Sequence, residues 1–368
     1  MLLDKIIKSK KNYTDETIKI LKHSNKKLII YGSGVYSYVL TKYLKAKGIK
    51  IYKKVVDESY KQSDNLFEIE VTLINDILDN INDYNIVIGL TNYPLAIKKL
   101  KKYGSKNSFV IDVPDFLNIP QTFMKYSFVS ENKEDFEKAY NFFEDELSKR
   151  TFIGAINTKL SGDLSHILNN TKIDHLYFTK KNFPKKKNEI LLDVGGFTGD
   201  SIKEFHYITN GNYSHIISLE PFPKLFNELK KTINTLQIND RCTPVQIGAW
   251  NKKDILSFNN TEMNIDSKIE LHGNSKINVN TIDSILSDIN LSVTYMKLDI
   301  NGAEYNALKG ASATILKKKP FIAVKIHVKE DFFRLPILLK KIAPKIKLKL
   351  RQRNYMSMML VLYAFFDD

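Results

Sequence analysis

Twice along this chain an apolar run ends in a glycine turn and gives way to a stretch with apolar residues at helical spacing. The first run is Lys27-Leu-Ile-Ile-Tyr31, followed by Gly32-Ser-Gly34. Val35, Val39 and Tyr43, with Tyr36, Leu40 and Leu44 beside them, then mark one face of a helix that Gly48 stops. The second run is Leu191-Leu-Asp193-Val, followed by Gly195-Gly196-Phe-Thr198-Gly199-Asp200. A strand that enters a helix through glycine begins a β/α unit. Repeated units of this kind force a parallel sheet covered by helices, because parallel strands need long crossovers. With 368 residues, the chain has room for two such sheets.

In the first unit the pattern predicts a second strand, Ile49 to Val56, ending at Asp57. That is where nucleotide-binding sheets place a ribose-binding acid. A helix near 72–81, a strand at 85–90, a helix at 94–103 and a strand at 108–113 complete the unit. Between 114 and 188 the pattern is less regular, with Glu134 to Arg150 reading as one helix and Lys185 to Asn188 as a polar turn. From Glu189 onward, strands are expected at 190–195, 215–220, 243–248, 276–280, 294–299, 320–327, 346–351 and 356–364. Helices are expected after the first two strands and around 281–289, 303–316 and 331–343. Only Arg353-Asn-Tyr355 separates the last two strands, so that pair should be antiparallel. The expected organisation is a smaller α/β domain over 1–115, a helical linker or lid over 116–188, and a larger, mostly parallel α/β domain over 189–368.

Lysine plus arginine is 56 against 41 acidic residues, a formal net charge of +15. Such a balance invites a nucleic-acid partner, yet the only arginines are Arg150, Arg241, Arg334, Arg351 and Arg353. Bidentate reading of guanine edges and phosphates favours arginine. The excess therefore reads as a lysine-rich solvated surface, and no nucleic-acid partner is expected. Basic residues crowd the stretch from Lys317 to Arg353. Of these, Lys325, Lys329, Arg334, Arg351 and Arg353 should lie near strand ends on the ligand side, suited to a phosphate-bearing ligand. Cys242 is the single cysteine, which excludes an intrachain disulfide framework. The first thirty residues hold no apolar export signal and no run of eighteen apolar residues occurs, so a cytoplasmic location is expected. Oligomeric state is left open.

Four segments bring chemistry to strand ends. In the glycine run, Asp193, Gly195, Gly196 and Gly199 let a ligand approach the backbone and aim a helix N-terminus at it. Glu220, in Ser218-Leu-Glu220-Pro221, ends the next strand, where an acid accepts ribose hydroxyls. Tyr295-Met-Lys297-Leu-Asp299 delivers Asp299 to the ligand edge. Phe321-Ile-Ala-Val-Lys325-Ile-His327 puts Lys325 and His327 on one strand face, with Asp331 soon after. A lysine in an apolar strand is costly unless paired. A histidine at the ligand edge beside an aspartate is a candidate general base, since its ordinary pKa lies near neutrality. Asp299 would orient it or hold a divalent cation. No zinc-type spacing of histidine or cysteine is present.

The order Asp193-x-Gly195-Gly-x-x-Gly199-Asp200, Glu220-Pro221, Val279-x-Thr281-Ile-Asp283, Lys297-x-Asp299-x-x-Gly302-Ala-Glu304 and His327-x-x-x-Asp331 resembles the FkbM family of S-adenosylmethionine-dependent methyltransferases. The resemblance runs from about Phe136 to the C-terminus and takes in the aromatic lead-in His175-Leu-Tyr177-Phe178. It implies a class I methyltransferase fold, a Rossmann-like sheet closed by an antiparallel hairpin. It also implies O-methylation, often of sugar hydroxyls, with S-adenosylmethionine held near Asp193, Gly195, Gly196, Gly199 and Glu220. The acceptor would then be a sugar or glycan, in some cases nucleotide-linked. His327 and Asp299 would serve catalysis, and Lys325, Asp331 and Arg351 would face the substrate. A divalent cation, if used, would sit on Asp299. Asn301 stands where the family commonly has glutamate. The first unit resembles the small Rossmann-like domain that precedes sugar-nucleotide-modifying enzymes, carried by Gly32, Gly34 and Asp57, with Ser37 in place of the third glycine. The alternatives are an NAD-dependent sugar-nucleotide enzyme using that domain, a nucleic-acid methyltransferase, or a scaffold that kept the fold without catalysis.

Overall fold

The computed structural model describes residues 2–8, 11–60, 69–113, 124–179, 188–259, 268–269 and 275–367. The first part of the chain runs α1 (Tyr13–His23), β1 (Lys27–Tyr31), α2 (Val35–Ala46), β2 (Ile51–Val56), β3 (Val71–Leu73), β4 (Tyr84–Ile88), α3 (Tyr93–Lys102) and β5 (Ser108–Phe109). Helices α4 (Tyr126–Glu131), α5 (Lys133–Asn141), α6 (Glu146–Ser161) and α7 (Ser165–Leu168) follow. Next come β6 (Ile190–Val194), α8 (Asp200–Ile208), β7 (His215–Leu219), α9 (Pro223–Thr235), β8 (Cys242–Val245), β9 (Gly248–Ala249), β10 (Asp254–Asn259), β11 (Lys268–Ile269) and β12 (Ser275–Asn280). The last elements are α10 (Ile282–Ile289), β13 (Tyr295–Leu298), α11 (Glu304–Lys309), α12 (Ser312–Lys318), β14 (Phe321–Lys325), α13 (Asp331–Ile342), β15 (Lys347–Gln352) and β16 (Leu360–Phe365).

Both glycine-punctuated units form sheets of their own. The N-terminal sheet is wholly parallel, in the order β3-β2-β1-β4-β5. The C-terminal sheet runs β15-β16-β14-β13-β6-β7-β8, with β16 antiparallel to both β14 and β15. Strand alternation divides the C-terminal sheet into two faces. Leu192, Val194, Met296, Leu298, Ile322 and Val324 pack on one side with Phe136, Phe152 and Phe332. Leu191, Tyr295, Ala323 and Tyr363 pack on the other with Phe178, Phe205 and Ile233.

Several local expectations give way to packing. The stretch 74–83 is a 3₁₀ segment with a non-helical residue at Asn80, not an α-helix. The strand expected at 276–280 lies outside the main sheet, in a four-stranded layer ordered β11-β10-β12-β9. Its alternating exposed and buried residues suit a half-covered antiparallel strand rather than a buried parallel one. The helix expected over 134–150 is two helices. Asp145 caps α6, its carboxylate accepting from the Ser148 amide at 2.7 Å, and Phe143 bridges to Leu348 of β15. The helix expected over 303–316 divides at Gly310, where a Cβ would sit 2.0 Å from the Trp250 carbonyl oxygen.

Domain organisation also departs from the expected division. Helices α5 and α6 are core elements of the C-terminal unit, with Phe136, Phe152 and Ile156 fully buried there. Leu2 and Ile6 join the same core, and the Leu2 amide donates to Glu137 at 2.6 Å. In the other direction, Leu164, Ile167 and Met356 pack into the core of the N-terminal sheet. Residues 353–359, longer than the three-residue turn expected, thus dock the hairpin on the N-terminal unit. There Ser357 donates to Asp112 at 2.7 Å and accepts from Lys159 at 2.9 Å. The expected boundary at 115/116 and most of the 185–188 turn fall outside the described residues.

If α6 is core, Phe152→Ala should cost about 3–5 kcal/mol. Its ring contacts Phe136, Tyr140, Phe143 and Phe332. Urea unfolding of the two proteins measures the difference; a change near zero would make the helix a peripheral cover.

Candidate functional site

Strands β6, β13 and β14 are parallel neighbours, so their carboxyl ends deliver Gly195, Asp299 and His327 to one edge. Register places Lys297 opposite Asp193 and Asp193 opposite Ser218. Lys297 Nζ lies 3.0 Å from Asp193 Oδ1 and donates to the Gly195 carbonyl at 2.7 Å. Ser218 donates to Asp193 Oδ2 at 3.0 Å. Both charged side chains are almost wholly buried, at 3% and 0% exposure. Burial works against the Lys297 ammonium, but Asp193, Asp299 and Asp200 together hold it above its ordinary range.

Gly195 has φ +86°, and a Cβ there would lie 2.2 Å from the Asp299 carbonyl oxygen. The glycine loop and the Asp299 loop therefore touch through backbone, and no other residue fits between them. Glu220, at the end of β7, joins the next two loops. Its carboxylate accepts from the amides of Phe197 at 2.9 Å and Phe222 at 3.0 Å. Burial pushes its carboxyl up to about 7 against those two donors.

Asp299 is the hub of a second cluster. Its Oδ2 accepts from the Tyr177 hydroxyl and faces Lys325 Nζ at 3.5 Å. Oδ1 lies 3.0 Å from His327 Nε2, and His327 Nδ1 lies 2.8 Å from Glu304 Oε1. These are ion-pair contacts, set off the in-plane N–H directions of the ring. Burial opposes ionisation of Asp299, but Lys325, His327 and Lys297 outweigh it and hold the carboxyl well below the usual carboxylate range. Burial likewise opposes the charged ring of His327, yet the Glu304 carboxylate, with Asp299, lifts it to about 9. A raised histidine stabilises the fold fully below its unfolded pKa of about 6.5, and that contribution fades as pH rises through about 9.

Glu304 and Tyr177 carry no assignment from the spacing argument, although both lie in quoted motifs. Glu304 is fully buried and accepts from the amides of Ile300 and Gly302, each at 2.8 Å. Asn301 takes φ 51° inside that turn, a left-handed conformation that asparagine tolerates better than glutamate. The acid that braces the turn is thus Glu304, not residue 301. Tyr177 sits on a strap pinned by two tyrosines: Tyr295 donates to its carbonyl and Tyr363 to that of Leu176, both at 2.6 Å. His175 pairs with Glu204 of α8 at 2.8 Å.

Other expected site residues are placed elsewhere. Arg351 is committed to α6, meeting Asp145 at 2.7 Å and Ser148 at 2.7 Å. Asp331 has no exposed surface; it pairs with Arg334 at 2.7 Å, and burial, then Glu304, pushes its carboxyl up to about 7. Arg353 is buried against Tyr363, 2.9 Å from its hydroxyl. The basic group expected to bind phosphate is therefore largely spent on internal contacts. In the N-terminal unit, Asp57 is engaged by Lys99 at 2.6 Å and Tyr31 at 2.8 Å.

One ligating atom each of Asp299, Glu304 and His327 lies within 4.8 Å of the others, the grouping a divalent cation needs. Lys325 already sets a cation 3.5 Å from Asp299, and carboxylates lie 3.0 and 2.8 Å from the two His327 nitrogens, so a divalent cation there would meet like charge and compete for acids already paired.

Lys297→Met should be destabilising by about 3–5 kcal/mol, because it leaves the Asp193 carboxylate buried without its partner. Denaturant unfolding of the purified variant checks this; a loss below about 1 kcal/mol would mean the pair contributes no more than a surface bridge.

Residues 193–356 match the family model described as the methyltransferase FkbM domain. The crystal structure of methyltransferase FkbM from Methylobacillus flagellatus KT has a similar fold, at 17% identity and TM-score 0.65. That match covers 96% of this chain and 94% of the other, so it takes in both sheets. Among curated proteins, glutamyl-tRNA reductase of Thermosipho melanesiensis is 26% identical over 181 residues. This stretch is 46% of this chain and 49% of that protein, so the chain spans about half the length of the curated relative it matches. No described helix is long and apolar enough to cross a membrane. Residues 193–356 thus match the methyltransferase domain of the FkbM family, and the chain shares the fold of an FkbM methyltransferase along nearly its whole length.

Proposed function

We propose that this protein is a methyltransferase that moves the methyl group of S-adenosylmethionine onto a sugar hydroxyl, in glycan or sugar-nucleotide assembly. The observation that carries this reading is the pairing of Asp299 with Lys325 at the ligand edge, 3.5 Å apart. An anion and a cation side by side complement neighbouring sugar hydroxyls, each of which both donates and accepts. The hairpin turn supports it further. Ile326, just past β14, donates to Leu360 at the start of β16, so the 353–359 turn and the N-terminal unit docked on it flank the acceptor side.

S-adenosylmethionine supplies an electrophilic methyl group on a sulfonium when bound. The residues present fit it. Asp193, Asp200, Glu220 and Asp299 give an anionic surround for its positive charges, and Glu220 stands where a carboxylate meets ribose hydroxyls. The chain's own work is then to hold the acceptor oxygen in line and to take its proton. Lys325 already places a cation beside Asp299, so the metal-free route is proposed.

Calorimetry with S-adenosylmethionine should show saturable binding. Glu220→Ala should weaken it by about 10–100-fold, the worth of hydrogen bonds to a charged group, and Gly195→Val should abolish it. Because the Glu220 carboxyl sits near about 7 and accepts best when ionised, affinity should rise from acid pH through neutrality, with protons released. Absence of binding at millimolar cofactor would end the methyl-donor reading.

A panel of free hexoses and nucleoside diphosphate hexoses, scored by S-adenosylhomocysteine release, tests the acceptor class. At least one should turn over, with no loss of rate in EDTA. Silence across the panel would overturn the sugar assignment, and loss in EDTA would overturn the metal-free route.

A further inference from the structure

The layers of the Asp299 cluster assign roles that its composition leaves open. Asp299 is its outermost acid, with 24% of its side chain exposed; His327 lies behind it at 6%, and Glu304 behind that at 0%. An acceptor therefore meets Asp299 before it can meet the ring. Resting on the sugar-hydroxyl reading above, we propose that Asp299 receives the acceptor's proton, that His327 is a fixed imidazolium behind it, and that Glu304 is the positioning residue that keeps it so.

Geometry carries the assignment. Both contacts lie off the N–H directions, so the ring meets its two carboxylates, 3.0 and 2.8 Å away, through charge rather than through hydrogen bonds. With the ring only 6% exposed and little water to screen it, an imidazolium is attracted by both anions and a neutral ring by neither. Glu304 is anchored in place, since both its oxygens hold amides of the turn that follows Asp299. The remaining charged groups around the ring come from every neighbouring element. Lys325 of β14 opposes its charge; Asp331 of α13, paired with Arg334, favours it; Lys297 of β13 and Tyr177 of the strap act on Asp299.

In the proposed step the acceptor oxygen bonds to the methyl carbon as the methyl–sulfur bond breaks, the electron pair staying on sulfur. The hydroxyl proton passes to Asp299 and then to solvent, which restores the carboxylate. His327 neither gains nor loses a proton. Its charge and that of Lys325 keep Asp299 ionised until the acceptor's proton arrives.

Nitrogen NMR of histidine-labelled protein with S-adenosylhomocysteine reads the ring directly, the resonances assigned with His327→Gln. His327 should be doubly protonated at neutral pH and lose a proton near about 9. Glu304→Gln should lower that midpoint by about one to three pH units. Asp299→Asn should move it the same way and leaves the Glu304 turn intact, which keeps the test sound if Glu304→Gln fails to fold. A neutral ring at neutral pH overturns the proposal, and so does a midpoint that stays put in the folded variants. With the best sugar from the panel, the wild-type rate should fall as pH rises through the His327 midpoint. A rate that rises through it would make His327 the base. Failure of every sugar would sink the acceptor reading, while the NMR result still judges the charge state of His327 and the part Glu304 plays in it.

Discussion

Lys297 joins three things that would otherwise be independent: the end of β6, the end of β13 and the glycine loop. Its ammonium faces Asp193 across the sheet and holds the Gly195 carbonyl. Removing two charges from water costs several kcal/mol per ion, so the pair is not a cheap source of stability. Its effect is geometric. With Lys297 in place, the Gly195 backbone lies against that of Asp299, and the glycine loop and the Asp299 loop share one fixed separation. Ser218 extends the row to β7, whose next acid, Glu220, holds the loops on either side.

The two faces of the C-terminal sheet divide the labour. One packs apolar side chains against α5, α6 and α13 and needs only complementary shape. The other alternates apolar residues with Asp193, Lys297 and Tyr295 and carries polar groups toward the edge. On that face tyrosine hydroxyls pin the strap that brings Tyr177 to Asp299. The N-terminal unit is tied in by a further buried polar link, Asp112–Ser357–Lys159, at the turn beside the end of β14. This end of the sheet is thus built from segments distant in sequence but joined by a few satisfied hydrogen bonds.

Much of the sheet was legible because parallel strands buried on both sides read as apolar runs, and glycine turns mark where they end. The antiparallel hairpin followed from a connection too short for a crossover. The split between α5 and α6 was hidden because apolar spacing continues through Phe136, Tyr140 and Phe143, while the break depends on Asp145 capping and on a bridge to β15. The polar-alternating β12 carried its own warning, since Ser-Lys-Ile-Asn-Val-Asn does not suit a central parallel strand.

The sequence by itself determined that Asp193, Glu220, Asp299, Lys325 and His327 reach strand ends, because strand periodicity and glycine position set that without any long-range information. Only the tertiary structure decided which of them meet and in what charge state. Arg351 and Asp331 looked equally close to the site along the chain, yet one binds α6 and the other is sealed behind Glu304. His327 looked like a base by its ordinary pKa, and the two carboxylates near its nitrogens lift that pKa to about 9. Electrostatic energy depends on distances of a few ångströms between groups far apart in sequence, and those distances exist only once the strands are in register.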